Sequence, residues 1–397
     1  MGGVSAGVPR THPQVASGRA GRSGACAALP AGVIISNRST RTDGRSRAVA
    51  VTHATVASRS VAVRRVLAKW VCAAFVWAGP LSDAADDARS PVIAAAPALS
   101  APLRFQIVEG AGGVPLNVVT AGDPSKPPIL LVHGIGQSYV SWENQLRAPV
   151  TDEFYVVAFD LRGHGNSGKP WGKAQYTEYR NYAEDIRAII EATGIRRPLL
   201  VGWSYGTLVV SDYLRAYGDS GLRGLALVGA YGGLTPPPPA APPAFAAQMA
   251  RTRELQLSSN LEDNIAAARG GVRFLTGKEM PQAYYERAVQ LALMLPAYAR
   301  RHMFDRSIAN MDLIPNIRAP LWIVVGGKDG STPEGQAREL ARKVPDARVS
   351  VYPDSGHSPF AEEPDRFNRE LMELARSTAI AHDAAPPRSV LRPPLHP

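Results

Sequence analysis

The stretch VGWSYGTLV, residues 201–209, sets a lone serine between two glycines at the point where an apolar run gives way to a helical pattern. A packing role would use alanine. Ser204 therefore asks either for a chemical role or for chance, and a G-x-S-x-G string arises by chance in roughly one chain of this length in five. What surrounds the string must decide. Upstream, RPLLVGW reads as a short apolar strand, and downstream YGTLVVSDYLRAYG reads as a helix. A serine at that junction is carried on a sharp turn above the carboxyl edge of the sheet, where open α/β folds bind ligands. Gly202 and Gly206 fit this reading, because the turn brings strand and helix backbones too close for larger side chains.

Working outward, strand-like runs are expected at Phe105–Glu109, Leu116–Thr120, Ile129–His133, Tyr155–Asp160, Leu199–Trp203, Gly224–Val228, Leu321–Val325 and Arg348–Tyr352. Helical patterns separate the later ones; Tyr182, Ile186, Ile189 and Ile190 share one face at helical spacing. Continuously apolar strands such as ILLV and LWIVV belong in a parallel sheet covered on both faces, so the pattern predicts an α/β fold. One long interruption, residues 233–312, carries the proline run Pro236–Pro239 and then helical segments such as QAYYERAVQLALML and AYARRHMF. Proline cannot join a central strand, so this stretch is read as a mostly helical cap inserted after the sixth strand. It divides a core of 104–232 and 313–377.

A serine hydroxyl is a poor nucleophile at neutral pH and needs a base, which in turn needs an orienting acid. The sequence downstream supplies both. Asp329 follows strand LWIVV in GGKDGSTP, and His357 follows strand RVSVY in PDSGHSPF. Either alone reads as a loop residue, and Asp329 as a turn former; in this order and these contexts the three make a candidate Ser204, Asp329, His357 triad. Asp354 is a second carboxylate near His357. An acyl-transfer site also needs donors for an oxyanion. Closely spaced glycines in ILLVHGIGQS let amides turn inward, which assigns one donor to the Ile135 amide and the other to the amide of Tyr205. His133 reads as a structural imidazole bonded to backbone. Trp203, Tyr205, Tyr284, Met294, Met303 and Phe304 are candidates for an apolar pocket wall, with ordinary core packing as the competing reading.

Together HGIGQS, DLRGHGNS, GWSYG, GGKD and GHSPFAEEP resemble the α/β-hydrolase superfamily, particularly its esterase, haloperoxidase-like and carbon-carbon hydrolase branches with helical caps. The resemblance covers about residues 104–377. It implies a mostly parallel eight-stranded sheet with helices on both faces, catalysis without metal or organic cofactor, and a structural loop at Asp160–Ser167 in which Asp160, Arg162 and His164 are not catalytic. Thr207 stands where many relatives have a second glycine. A serine nucleophile argues against the epoxide hydrolase and haloalkane dehalogenase branches. The expected activity is hydrolysis of a small-molecule carboxylic ester through an acyl-enzyme; carbon-carbon bond hydrolysis, lactone opening or perhydrolysis would use the same residues, and a hydrolase-fold ligand receptor is the non-enzymatic alternative.

Composition sets the outer limits. With 397 residues, 45% of them hydrophobic, the chain can bury a substantial core. Its net charge of +10 lies almost wholly in residues 1–85, which hold ten Arg and Lys69 against Asp43 and Asp83. The rest is near neutral, so nothing calls for nucleic acid. Residues 1–62 show no sustained period and read as a low-complexity leader without fold. In 63–85, Arg64, Arg65 and Lys69 precede an apolar run from Val71 to Leu81 and small residues around Ala84, the pattern of a secretory signal peptide and too short for a membrane span. Such peptides begin near the initiator, which places the expected start near Val63 and the mature protein in the periplasm or outside the cell; without a signal peptide the expected location is the cytoplasm. Both cysteines, Cys26 and Cys72, fall in the part that would be lost. Residues 86–103 read as a linker and 378–397 as a disordered tail.

Overall fold

Five-residue runs of Val, Leu, Ile and Ala are too apolar to face water on either side, and the fold answers by covering them twice. The computed structural model describes residues 102–147, 149–237 and 243–383. Its strands are β1 (Arg104–Glu109), β2 (Pro115–Ala121), β3 (Pro128–Val132), β4 (Tyr155–Phe159), β5 (Leu199–Trp203), β6 (Gly224–Val228), β7 (Leu321–Gly326) and β8 (Ala347–Tyr352). They form one sheet in the order β1-β2-β4-β3-β5-β6-β7-β8. β2 pairs antiparallel with β1 and with β4, and every pairing from β4 to β8 is parallel. The eight expected strands match these to within a residue at each end.

Alternation along the strands divides the core in two. Leu130, Leu200 and Leu227 point to one face, where they meet helices α3 (Tyr179–Thr193) and α4 (Tyr205–Tyr217) through Ile186, Ile189 and Val209. Leu131, Val201 and Trp322 point to the other, where they meet Trp142 and the long C-terminal helix. The short helices α1 (Val150–Glu153) and α2 (Ala174–Thr177) lie in the connections before α3. Between β6 and β7 come α5 (Pro243–Leu257), α6 (Leu261–Val272), α7 (Gln282–Leu293) and α8 (Ala297–Phe304), followed after β7 by α9 (Glu334–Lys343), α10 (Pro359–Glu362) and α11 (Pro364–Asp383). Among the described residues, no helix is long and apolar enough to cross a membrane.

The sequence reading stops the fold at residue 377, but α11 continues to Asp383. Thr378 explains the extension: it is buried, its hydroxyl donates back to the Leu374 carbonyl at 2.9 Å, and its methyl group packs beside Gly224 at the start of β6. The expected leader and signal peptide, nearly all of the expected linker and the tail beyond residue 383 lie outside the described residues.

β3 and β5 are neighbours, and the connection from β3 to β4 runs to one side while that from β5 to β6 runs to the other, which places a topological switch point at the carboxyl ends of these two strands. The loop after β4 is held there by Arg162. Its guanidinium makes two bonds of 2.7 Å to Asp185 of α3, and both side chains are essentially inaccessible to water. Asp185 also accepts from the Ala111 amide, so one carboxylate ties three segments together. Asp185→Ala would leave a buried guanidinium without its counter-charge, which typically costs about 3–5 kcal/mol. Urea unfolding is expected to show a loss of that size; one below about 1 kcal/mol would mean that backbone carbonyls suffice for Arg162.

Candidate active site

Ser204 follows β5 with φ 54° and ψ −120°, a conformation that costs a non-glycine residue about 1–3 kcal/mol. The cost is met locally. Its amide donates to the Val228 carbonyl of β6 at 2.9 Å, and its carbonyl accepts from both the amide and the hydroxyl of Thr207, at 2.9 and 2.6 Å. A Cβ on Gly202 would stand 2.6 Å from the Gly206 carbonyl oxygen, and one on Gly206 would collide with the carbonyl of Val132, so neither position admits a side chain. Thr207, the departure from the resembled pattern, has a use of its own: its hydroxyl also accepts from the Gly232 amide, joining the turn to the loop after β6.

Two loops bring the other members in. His357 Nε2 lies 2.8 Å from Ser204 Oγ, and His357 Nδ1 lies 2.7 Å from Asp329 Oδ2. Asp329 Oδ1 accepts from the amide and hydroxyl of Ser331, and Oδ2 accepts from the Thr332 hydroxyl. Burial alone would raise this carboxyl, but the bond and charge of His357 and the two hydroxyls outweigh it and hold the pKa at about 2. Asp329 is thus ionised at neutral pH and poised to orient the imidazole. Asp354 is 81% exposed and pairs with Lys328 at 3.5 Å, so it is not the partner of His357.

His357 is also held by its backbone. Its carbonyl accepts from the indole of Trp203 at 2.8 Å, and Gly229, at φ 62°, lies where a Cβ would sit 2.7 Å from that same carbonyl. Glu362 is buried and accepts from the Gly356 amide with one carboxylate oxygen and from the Gly277 and Lys278 amides with the other, at 2.8, 2.7 and 3.2 Å. Neither Gly229 nor Glu362 stood out in the sequence; the only signals were a glycine after a strand and an acidic pair inside GHSPFAEEP.

The remaining candidates separate. Gly134 lies against Ser204, with 3.0 Å between the Ser204 Cβ and a Cβ built on the glycine, which brings Ile135 to the edge of the site. Tyr205 opens α4 directly after the serine. Ile135 and Phe304 line a common cavity of about 150 Å³. Trp203 lies in the main core, Met303 is buried with Tyr176 and Leu295, and Met294 is on the surface; none of the three lines that cavity. Among the described residues no cluster of His, Cys, Asp and Glu is arranged to hold a metal ion. His133 Nε2 accepts from the Leu161 amide, so Nδ1 carries the proton and donates to the Gly134 carbonyl; burial keeps this ring neutral. Asp160 accepts from the Tyr139 and Asn166 amides and the Asn117 side chain, which fixes the loop below.

The sequence model of the alpha/beta hydrolase fold matches residues 127–364, well over half of the chain, and the protein belongs to that family. An AB hydrolase superfamily protein of Bacillus subtilis, YisY, is 25% identical over 262 residues, 63% of this chain and 92% of its own. Among solved structures, a Burkholderia cenocepacia protein provisionally described as an aryl esterase is 32% identical with a TM-score of 0.64, covering 70% of this chain and 99% of that one. The esterase RhEst1 of a Rhodococcus species is 27% identical with a TM-score of 0.61, over 69% and 99%.

The depressed Asp329 pKa fixes the sign of a pH dependence. A carboxyl near 2 in the fold and 3.8 unperturbed stabilises the fold fully above about pH 4, and the contribution is lost as pH falls through 2. Asp329→Asn should therefore be less stable by about 2 kcal/mol at pH 6, and the gap should close between pH 4 and pH 2. A gap that stays constant over this range in denaturant titrations would contradict the ionised pair.

Proposed function

We propose that the protein hydrolyses carboxylic esters through Ser204, His357 and Asp329. The observation that carries this reading is the continuous hydrogen-bonded line from Ser204 Oγ through the imidazole to an ionised carboxylate. The two solved relatives named as esterases support the ester over a carbon-carbon bond. As Ser204 Oγ attacks the ester carbonyl carbon, its proton passes to His357 Nε2. The amides of Ile135 and Tyr205 receive the oxyanion, a contribution worth about 10² to 10³ in rate per donor. Collapse breaks the bond to the alcohol, which leaves with the proton from His357. Water then attacks the acyl-enzyme with the same imidazole as base, releasing the acid and restoring Ser204.

The helices between β6 and β7 act in this proposal as a cap that restricts substrate size, so short or slender esters are preferred over emulsified triacylglycerols. We further propose export by cleavage near Ala84, a point that N-terminal sequencing of the protein from its native host decides.

Turnover of a short-chain aryl ester is expected, and Ser204→Ala and His357→Ala should each remove nearly all of it. The double variant should be little worse than either single one, because the members act as a unit; multiplicative losses would sink the assignment. Asp329→Asn should reduce kcat by about 10⁴ with little change in KM, since its interaction strengthens only as charge develops on the ring. Activity within a few-fold of the parent would reduce Asp329 to a turn former.

A further inference from the structure

The loop that carries His357 rests on supports of different origin. The Trp203 indole holds the His357 carbonyl, the Lys328 amide donates to the Ser355 carbonyl at 3.0 Å, and Glu362 accepts from the Gly356 amide between them at 2.8 Å. The first comes from the end of β5 and the second from the loop after β7. The third reaches beyond the core. The other carboxylate oxygen of Glu362 accepts from the amides of Gly277 and Lys278, at 2.7 and 3.2 Å, in the loop that leads into α7 of the insertion. Here the two backbones meet without side chains: a Cβ on Gly277 would stand 2.6 Å from the Gly356 amide nitrogen, and one on Gly356 would collide with Gly277.

A glutamate turns about several side-chain torsions, and a carboxylate held by one oxygen alone can swing about them. Glu362 is buried, so its charge needs several donors in place of water. Among the described residues the core supplies one, Gly356, and the insertion supplies two. The oxygen that bears on the Gly356 amide is thus kept in place from the insertion side, one residue from the imidazole. Resting on the triad of the ester-hydrolase reading above, we propose that Glu362 is a positioning residue for His357 and that insertion residues 276–278 are part of the mounting of this base. The insertion then acts on the rate of the chemical step, separately from any effect on substrate size. A displacement of about 1 Å at a reacting group can cost about 10² in rate.

Two variants test this. Glu362→Gln keeps the shape but sets an amide donor where a carboxylate oxygen accepted, so one side loses its bonds. Lys278→Pro deletes one donor on the insertion side, and Lys278→Ala, which keeps that amide, is its reference. Three readings are taken well below each melting temperature: kcat and KM on a short-chain aryl ester, the rate at which an alkyl fluorophosphonate labels Ser204, and the low-field proton resonance of His357 Nδ1–H in its bond to Asp329. Glu362→Gln should lower kcat and the labelling rate by about 10- to 100-fold, leave KM within about twofold, and broaden the resonance. Lys278→Pro should lower both rates about three- to tenfold relative to Lys278→Ala, the factor of one hydrogen bond. A purely structural role lowers the melting temperature and leaves all three readings at the parent's values; that result in Glu362→Gln overturns the positioning of His357. Rates in Lys278→Pro equal to those in Lys278→Ala overturn the part of the insertion. Where Glu362→Gln does not fold, the comparison at Lys278 decides alone. Labelling and the resonance need no ester, so absence of ester turnover by the parent counts against ester hydrolysis alone.

Discussion

The turn at Ser204 requires a strand and a helix to meet with no side chains between them. Every other feature of the carboxyl edge is arranged around that requirement. Gly202 and Gly206 clear the space, and the Val228 carbonyl and Thr207 supply the hydrogen bonds that a left-handed serine needs in order to stay in place. The strain is local, but its support comes from three different strand ends. This explains why the turn is found above the middle of the sheet: only there do β3, β5 and β6 run side by side and offer carbonyls on either flank.

A fixed serine is useful only if the imidazole is fixed as well, and here the fold uses the backbone more than the ring. The two ring nitrogens are committed to Ser204 and Asp329, so neither can anchor the loop. Trp203 does so instead from the residue next to the serine, through its indole and the His357 carbonyl. One large side chain thereby ties the His357 backbone to the residue beside Ser204, and its burial in the core makes that tie stiff. The same packing explains why the aromatic residue beside Ser204 is enclosed in the core.

How much of this the sequence disclosed follows from the range of each interaction. The strands were legible because full burial demands runs such as ILLV and LWIVV, and the turn was legible because its glycines are dictated by close approach within five residues. His357 and Asp329 were legible through their order after strands. Glu362 was not, because it acts through partners that only the fold supplies. Glu362 reaches Gly277 across 85 positions, and no local pattern marks a carboxylate that binds only amides. Met294, Met303 and Phe304 look alike as apolar helical residues, yet one is exposed, one buried and one on a cavity wall, because helical rotation within the insertion depends on packing. At the C-terminus, composition hid a helix that ends six residues later than expected because Thr378 satisfies its own hydroxyl.

The insertion has its own support as well as its ties to the core. Arg300 gathers carbonyls from the C-terminal ends of α5 and α7 without an acidic partner, so the negative ends of two helices stand in for a counter-ion. That arrangement holds the cavity walls together from inside. Arg287 to Glu143 and the Tyr298 hydroxyl to the Lys169 carbonyl join the segment to the core at its rim; nearer the site it is joined through Glu362 at the histidine loop, and through Arg306, whose guanidinium grips Asp212 of α4 and donates to the Tyr205 hydroxyl at 3.0 Å. These last two ties end one residue from Ser204 or His357: Gly356 precedes His357, and Tyr205 follows Ser204. A shift of the insertion is therefore felt at both sides of the site at once, while exchange of a small residue on the cavity wall, such as Ala267 or Gly271, touches neither tie. The hydrogen-bonded line from serine to aspartate can therefore stay in place while residues of the cavity wall change.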